Sequence, residues 1–272
     1  MKNKKLNIII FLLFIIISIF FLFPIFDRIH NWGIGDWDAN IEKYAVAKKI
    51  IVEYHQFPLW NPFISGGIPL LANPIWGIFL SLTLIPVLFF GEVIGIKISI
   101  LVHTFIGMFG MYLLSKYYKF KTLLSVFPPF IFMLSGFYVS HLTTGHKWVL
   151  MITFIPYVFL FYLKSCDDKR NILFASIFLA LMLIAGTHIF LFTSLFLIIY
   201  SIFKVIKRKE IFDLKILIAI FIVTALLSSI KLVPNIEFLS KQPRYTKYDY
   251  SGYSLNTLYH GLLDRDQGYF TE

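Results

Sequence analysis

An all-α protein built into a lipid bilayer is the fold class this chain predicts, and three observations carry that prediction. Hydrophobic residues make up 58% of the 272 positions and charged ones only 15%, with a mean hydropathy of +0.77. Apolar runs recur at about the 20 residues a helix needs to cross a hydrocarbon core of about 30 Å. The lysines and arginines gather in short clusters between those runs, the pattern expected of cytoplasmic connections. The runs are unbroken rather than alternating, so their backbone groups are satisfied inside helices and not in a barrel. The formal charge of +10 is thereby explained by topology, and no nucleic-acid partner is expected.

The first helix follows a basic start, Met1 to Lys5, and occupies Leu6 to Phe26. It is too long for a signal-peptide core and lacks a small-residue cleavage site, so it reads as a retained anchor with a cytoplasmic amino terminus. The chain emerges at Asp27 into a large outer loop of about residues 27–93. Trp32 and Trp37 stand there at headgroup level. From Asp38 to His55 the apolar positions Ile41, Tyr44, Ala45, Ala47, Ile51 and Val52 repeat with helical period, predicting an amphipathic helix along the membrane surface. Pro58, Pro62, Pro69 and Pro74 with Gly66 and Gly67 then predict an ordered loop or short turns.

Ile75 to Phe90 is apolar but interrupted by Gly77 and Pro86. Counting it as a crossing would place the cluster Lys116, Lys119 and Lys121 outside, against the charge rule. It is therefore expected to be an interfacial or re-entrant part of the outer loop. Six further spans follow in alternation: Ile94 to Leu114, Leu123 to Ser140, Trp148 to Leu163, Ile172 to Gly186, Ile189 to Phe203 and Phe212 to Leu232. That gives about seven spans in a domain of residues 1–233, and an extracytoplasmic tail, 234–272, that reads as the start of a longer C-terminal region. Cys166, the one cysteine, excludes an internal disulfide and a cysteine-rich metal site.

With this topology the outer face collects Asp36, Asp38, His55, His141, His146, Lys147, His188, Glu237, Lys241, Arg244 and Lys247. Imidazole and carboxylate together suit a divalent cation, which makes His141 and His146 candidate metal ligands. Asp38 is placed to cap the surface helix. Asp36 has no such duty and is the better candidate for a general base toward an attacking hydroxyl. The spans carry few ionisable residues and no internal repeat, which favours surface chemistry over a transport path. No glycine-rich phosphate loop is present.

Several segments resemble a known superfamily: GDWD after the first helix, PLWNPFISGGIPLLANP, SGFYVSHLTTGHKWVLMITFIPYVF, the AGTHIF turn and KLVPNIEFLSKQPRY. Their order is similar to that of the GT-C glycosyltransferases, in particular the YfhO-like membrane proteins, over nearly the whole chain. The resemblance implies a GT-C-like fold with juxtamembrane helices in the first outer loop. It implies transfer of a sugar from a polyprenyl-phosphate donor to a cell-envelope glycan or protein by inverting displacement, at an extracytoplasmic site in the cell membrane. On that pattern Asp36 stands where the loop acid stands, with Asp38 beside it as a second candidate acid. Lys147, Lys241 and Arg244 are expected to meet the donor phosphate, and a divalent metal, Mg or Mn, is the implied cofactor. Where many such families carry an acid after their third helix, this chain has His146 and Lys147. The alternatives are a lipid or glycan flippase and an assembly subunit that keeps the fold without catalysis.

Overall fold

The computed structural model describes residues 2–64, 66–73, 81–208, 211–241, 259–260 and 263. Among them the secondary structure is almost wholly helical, eleven α-helices with one two-stranded pairing. The chain divides into two compact units, Met1–Phe238 and Leu239–Glu272. In the second, the rings of Tyr259 and His260 meet edge to face at 5.5 Å; Arg244 and Lys247 lie outside the described residues.

Among the described residues, five helical stretches are long and apolar enough to cross a membrane: Lys5–Asp27, Glu92–Tyr117, Leu124–Thr143, Lys147–Lys164 and Thr187–Lys207. They correspond to five of the seven expected spans. Helix α1 (Lys2–Asp27) is apolar all round, yet Ile10, Phe14, Ser18 and Leu22 are buried at four-residue spacing. That stripe faces the later helix α4: Phe14 meets Tyr112 edge to face and Ser18 Oγ donates to Met108 Sδ.

Helix α2 (Trp37–Val52) buries Trp37, Asn40, Tyr44, Val46, Ala47 and Ile50. This corrects the expected face, because Val52 is half exposed and Ile51 only partly covered. The helix also begins earlier and ends sooner than Asp38 to His55, stopping before His55 takes a left-handed backbone at φ 51°. The proline-rich loop is ordered. Strands β1 (Trp60–Asn61) and β2 (Ile68–Pro69) pair antiparallel, with the Trp60 indole over Gly67, where an added Cβ would lie 2.4 Å from the ring.

Of Ile75 to Phe90, residues 75–80 lie outside the described set; the rest contains α3 (Leu84–Phe90), seven residues and roughly 10 Å long. Gly91, at φ 82°, turns it back onto α4 (Glu92–Tyr117). Gly95 permits the contact: a Cβ there would stand 2.5 Å from Val87 Cα. α3 lies against α4 and by itself is shorter than a hydrocarbon core of about 30 Å.

The expected third span is broken, with a 3-10 turn, α5 (Phe127–Met133) and then α6 (Gly136–Thr143), whose cap is Ser135. A 3-10 segment, Lys147–Phe154, leads into α7 (Ile155–Lys164). The expected fifth span is α8 (Asn171–Ala185), whose 15 residues reach roughly 22 Å, short of a hydrocarbon core. α9 is Thr187–Arg208. The expected seventh, Phe212 to Leu232, is not one straight helix: α10 (Phe212–Leu227) and α11 (Ser229–Lys241) meet at 76°. At the α7 end, Lys204 and Asp213 form a buried ion pair, and the Cys166 thiol donates to Asp213 Oδ1 at 3.1 Å.

Two lysines staple loops to this frame. Lys97 Nζ donates to Arg28 O at 2.5 Å and Ile29 O at 2.9 Å. Lys231 Nζ donates to Leu71 O at 2.8 Å and Asn73 O at 2.5 Å. Both side chains are buried, and each has exchanged water for two backbone acceptors, the condition for burying an ammonium.

Candidate functional site

The loop after α1 and the loop after α6 interlock through backbone, and that interlock positions Asp36. Gly35 takes φ 67° and Gly145 φ 86°, conformations that favour glycine. A Cβ on Gly35 would lie 2.5 Å from Thr144 O, and one on Gly145 would lie 2.6 Å from Trp37 N. Three hydrogen bonds close the joint. Asp36 N–H donates to Thr144 O at 3.0 Å, Trp37 Nε1 to Leu142 O at 2.7 Å and Asn40 Nδ2 to Gly145 O at 2.7 Å.

Docking through Asp36 and Trp37 starts α2 earlier than the sequence pattern suggests. Asp36 therefore occupies the N-cap position, correcting the assignment of that role to Asp38, yet its carboxylate makes no capping bond. It turns instead toward His146, with Oδ2 3.7 Å from Nε2. Asp38 lies in the first turn, exposed, and accepts from the N–H of Ala39. The two acids are thus divided in use: Asp38 sits on the helix N-terminus, while Asp36 remains available at the surface, its side chain 68% exposed.

His146 belongs to an aromatic cluster. Its ring stacks on Trp148 at 5.8 Å and lies 5.3 Å from His141, and His188 meets Trp148 from the start of α9 at 5.8 Å. His141 Nδ1 faces Phe137 O at 3.0 Å, so Nε2 is its available nitrogen. His146 Nδ1 is buried without a hydrogen-bond partner. Among the described residues no three His, Cys, Asp or Glu side chains converge as a metal site; Asp36 Oδ2 and His146 Nε2 stand 3.7 Å apart.

The cations form the second half of the site. Lys147 Nζ stands 5.7 Å from the centre of the Tyr44 ring, a distance at which the ring face attracts an ammonium. The charges that act on it are two more ammoniums, Lys43 and Lys231. Among the described residues the Lys147 ammonium makes no hydrogen bond or ion pair, although the residue is half-buried. Burial holds the Lys43 pKa below the ordinary lysine range, outweighing the carboxylates of Glu42 and Asp36 that act the other way. Burial likewise pushes the Tyr44 hydroxyl up to about 12, against the pull of Ser81 and Thr83. Asp36 is therefore within electrostatic reach of Lys43.

Of the residues named from sequence, Asp36, His141, His146 and Lys147 come together, and Asp38 lies at the edge. Lys241 falls in the second unit and Arg244 outside the described residues. Lys43, Asn40 and Lys231 were not named. A single lysine inside the apolar stretch that ends in KLVPN was the available signal for Lys231, since such a cation must find acceptors. Nothing in the local pattern marks Asn40 as more than a polar position on α2. Comparison of the chain with protein-family models, with curated proteins and with solved structures returned no match.

Proposed function

We propose that the protein is a membrane glycosyltransferase that moves a sugar from a polyprenyl-phosphate donor to an envelope glycan or protein acceptor outside the cytoplasm. The observation that carries this reading is an exposed acid near cations: Asp36 beside His146, and Lys147 in the field of Lys43 and Lys231. An acid alone fits many reactions, and ammoniums near it suit an anionic leaving group. Together they suit displacement of a phosphate by a hydroxyl.

In the proposed step Asp36 takes the proton of the acceptor hydroxyl. The freed oxygen bonds to the anomeric carbon from the face opposite the phosphate. The bond between that carbon and the phosphate oxygen breaks, and its electron pair leaves on the phosphate. Lys147 meets the growing negative charge, which is the kind of preorganised electrostatic help that contributes most to such reactions. Lys43 and Lys231 add to the local field, while His146 orients the Asp36 carboxylate. Where a divalent ion such as Mg or Mn binds, Asp36 and His146 are the described residues placed to hold it, and it would add positive charge near the phosphate. The basic clusters support an orientation with the amino terminus in the cytoplasm and this site outside.

The bent pair α10 and α11, with Lys231 just after the break, favours a second reading, a lipid or glycan flippase, because broken helices with ionisable residues are a transporter feature. The test is transfer from a polyprenyl-phosphate sugar in proteoliposomes. Asp36→Asn is expected to slow transfer by about a hundredfold to ten-thousandfold, and Asp38→Asn to leave turnover within a few-fold. Equal rates for Asp36→Asn and the parent refute the assignment of the base. A parent that transfers no sugar from any such donor but moves lipid between leaflets supports the flippase instead.

A further inference from the structure

A second site lies on the other flank of α2. A cavity of about 300 Å³ opens between α1, α2, α4 and α6. Its walls are apolar, formed by Leu22, Ile25, Ile41, Ile96, Ile100 and Leu142, with the Trp37 indole beside them. The polar side chains on its lining are few: Arg28, Asn31, Lys97 and Thr143. At 100° per residue, Lys43 lies roughly 200° around α2 from Ile41. Lys43, Lys147 and Lys231 are not among the residues that line the cavity.

The charge at the mouth says what the cavity takes. Lys97 is committed to the carbonyls of Arg28 and Ile29, which fixes the turn out of α1 and presents Arg28 at the rim. The Arg28 side chain is exposed, and among the described residues its guanidinium makes no ion pair. Asn31 is occupied in accepting from Gly33 N–H. Trp32, 59% exposed, stands at the same rim, where an indole suits the boundary between hydrocarbon and headgroup. An apolar cleft with one uncommitted guanidinium at its membrane-interface end matches a molecule with a hydrocarbon chain and an anionic phosphate.

We propose that this cavity is a binding site for an anionic phospholipid of the surrounding bilayer, one acyl chain lying along Ile41, Ile96 and Ile100 and the phosphodiester on Arg28. A guanidinium offers a phosphate two parallel hydrogen bonds, which a lone ammonium does not. The bound lipid seals the joint between α1 and α2, so it holds the first loop in the conformation that carries Asp36. The site does not depend on the transfer reaction, and its test reads binding alone.

The whole chain is purified in mild detergent and offered phosphatidylglycerol or phosphatidylcholine with identical acyl chains, and retained lipid is counted by native mass spectrometry. The parent is expected to retain phosphatidylglycerol roughly fivefold better, the effect of one basic side chain near an anionic membrane surface. Arg28→Gln is expected to bring the two lipids to parity, and Ile41→Trp, which fills the cleft, to reduce both, with a monodisperse profile and parental melting temperature required of each variant. Equal retention of the two lipids by the parent overturns the proposal. So does a preference that survives Arg28→Gln, or displacement of phosphatidylglycerol by equimolar polyprenyl phosphate, which would make the cleft a donor site.

Discussion

Replacing Gly145 by alanine is the most direct perturbation of the joint that holds Asp36. The new Cβ would lie 2.6 Å from Trp37 N and 2.8 Å from both Asp36 N and Asp36 C, all backbone atoms that no rotamer change can move. The loops must separate, and three cross-loop hydrogen bonds are then lost or stretched, each contributing about 0.5–1.5 kcal/mol. The left-handed backbone adds about 1–2 kcal/mol for a residue bearing a Cβ. The sum is roughly 2.5–6.5 kcal/mol. At about 2–4 °C per kcal/mol for a chain of this size, melting in detergent should fall by about 5–25 °C. Gly66 supplies the control, because it has φ 76° but nothing within 4 Å of an added Cβ. Gly66→Ala should therefore show the backbone strain alone, about 1–2 kcal/mol. If the two alanine variants melt within a degree or two of each other, the interlock contributes nothing, and the positioning of Asp36 must have another cause.

Two further outcomes are expected, one from the charge rule and one from a buried ion pair. In a Cys166→Ser background, Thr144→Cys is expected to react with an impermeant thiol reagent on intact cells and Lys119→Cys to be protected; the reverse pattern would invert the proposed orientation. Lys204→Met leaves the carboxylate of Asp213 buried without its cation and should cost about 3–5 kcal/mol. The double variant Lys204→Met with Asp213→Leu should recover most of that loss in a thermal melt, and a double variant no more stable than Lys204→Met would show that the pair is not coupled.

The long helices were legible because a run such as Leu6 to Phe26 has no other way to satisfy its backbone in lipid. Legibility failed where a helix end depends on a distant partner. α2 was expected to start at Asp38, but it starts at Trp37 because Thr144 and Leu142 accept from its first residues. The same docking turns Asn40 inward, which a hydrophobic pattern cannot reveal. The bend at Ser228 was hidden inside an apolar run with no proline at the break; Pro234, the visible breaker, lies inside α11 without ending it. Asp36 was legible as an acid without a structural duty. Its pairing with His146 is not legible, since the 3.7 Å approach arises from two loops more than a hundred positions apart.

The staple formed by Lys231 has a consequence for biogenesis. Its acceptors at Leu71 and Asn73 are separated from it by 160 and 158 positions. At about 5–20 residues per second of synthesis, that interval corresponds to roughly 8–30 s during which the first loop has been made but its last tether has not. The loop containing Asn73 must therefore wait, exposed to membrane insertion factors and proteases, until α11 emerges. A nascent chain arrested before residue 231 should be cut in this loop by protease where the released chain resists, so the order in which the helices are made also sets when the protein becomes durable.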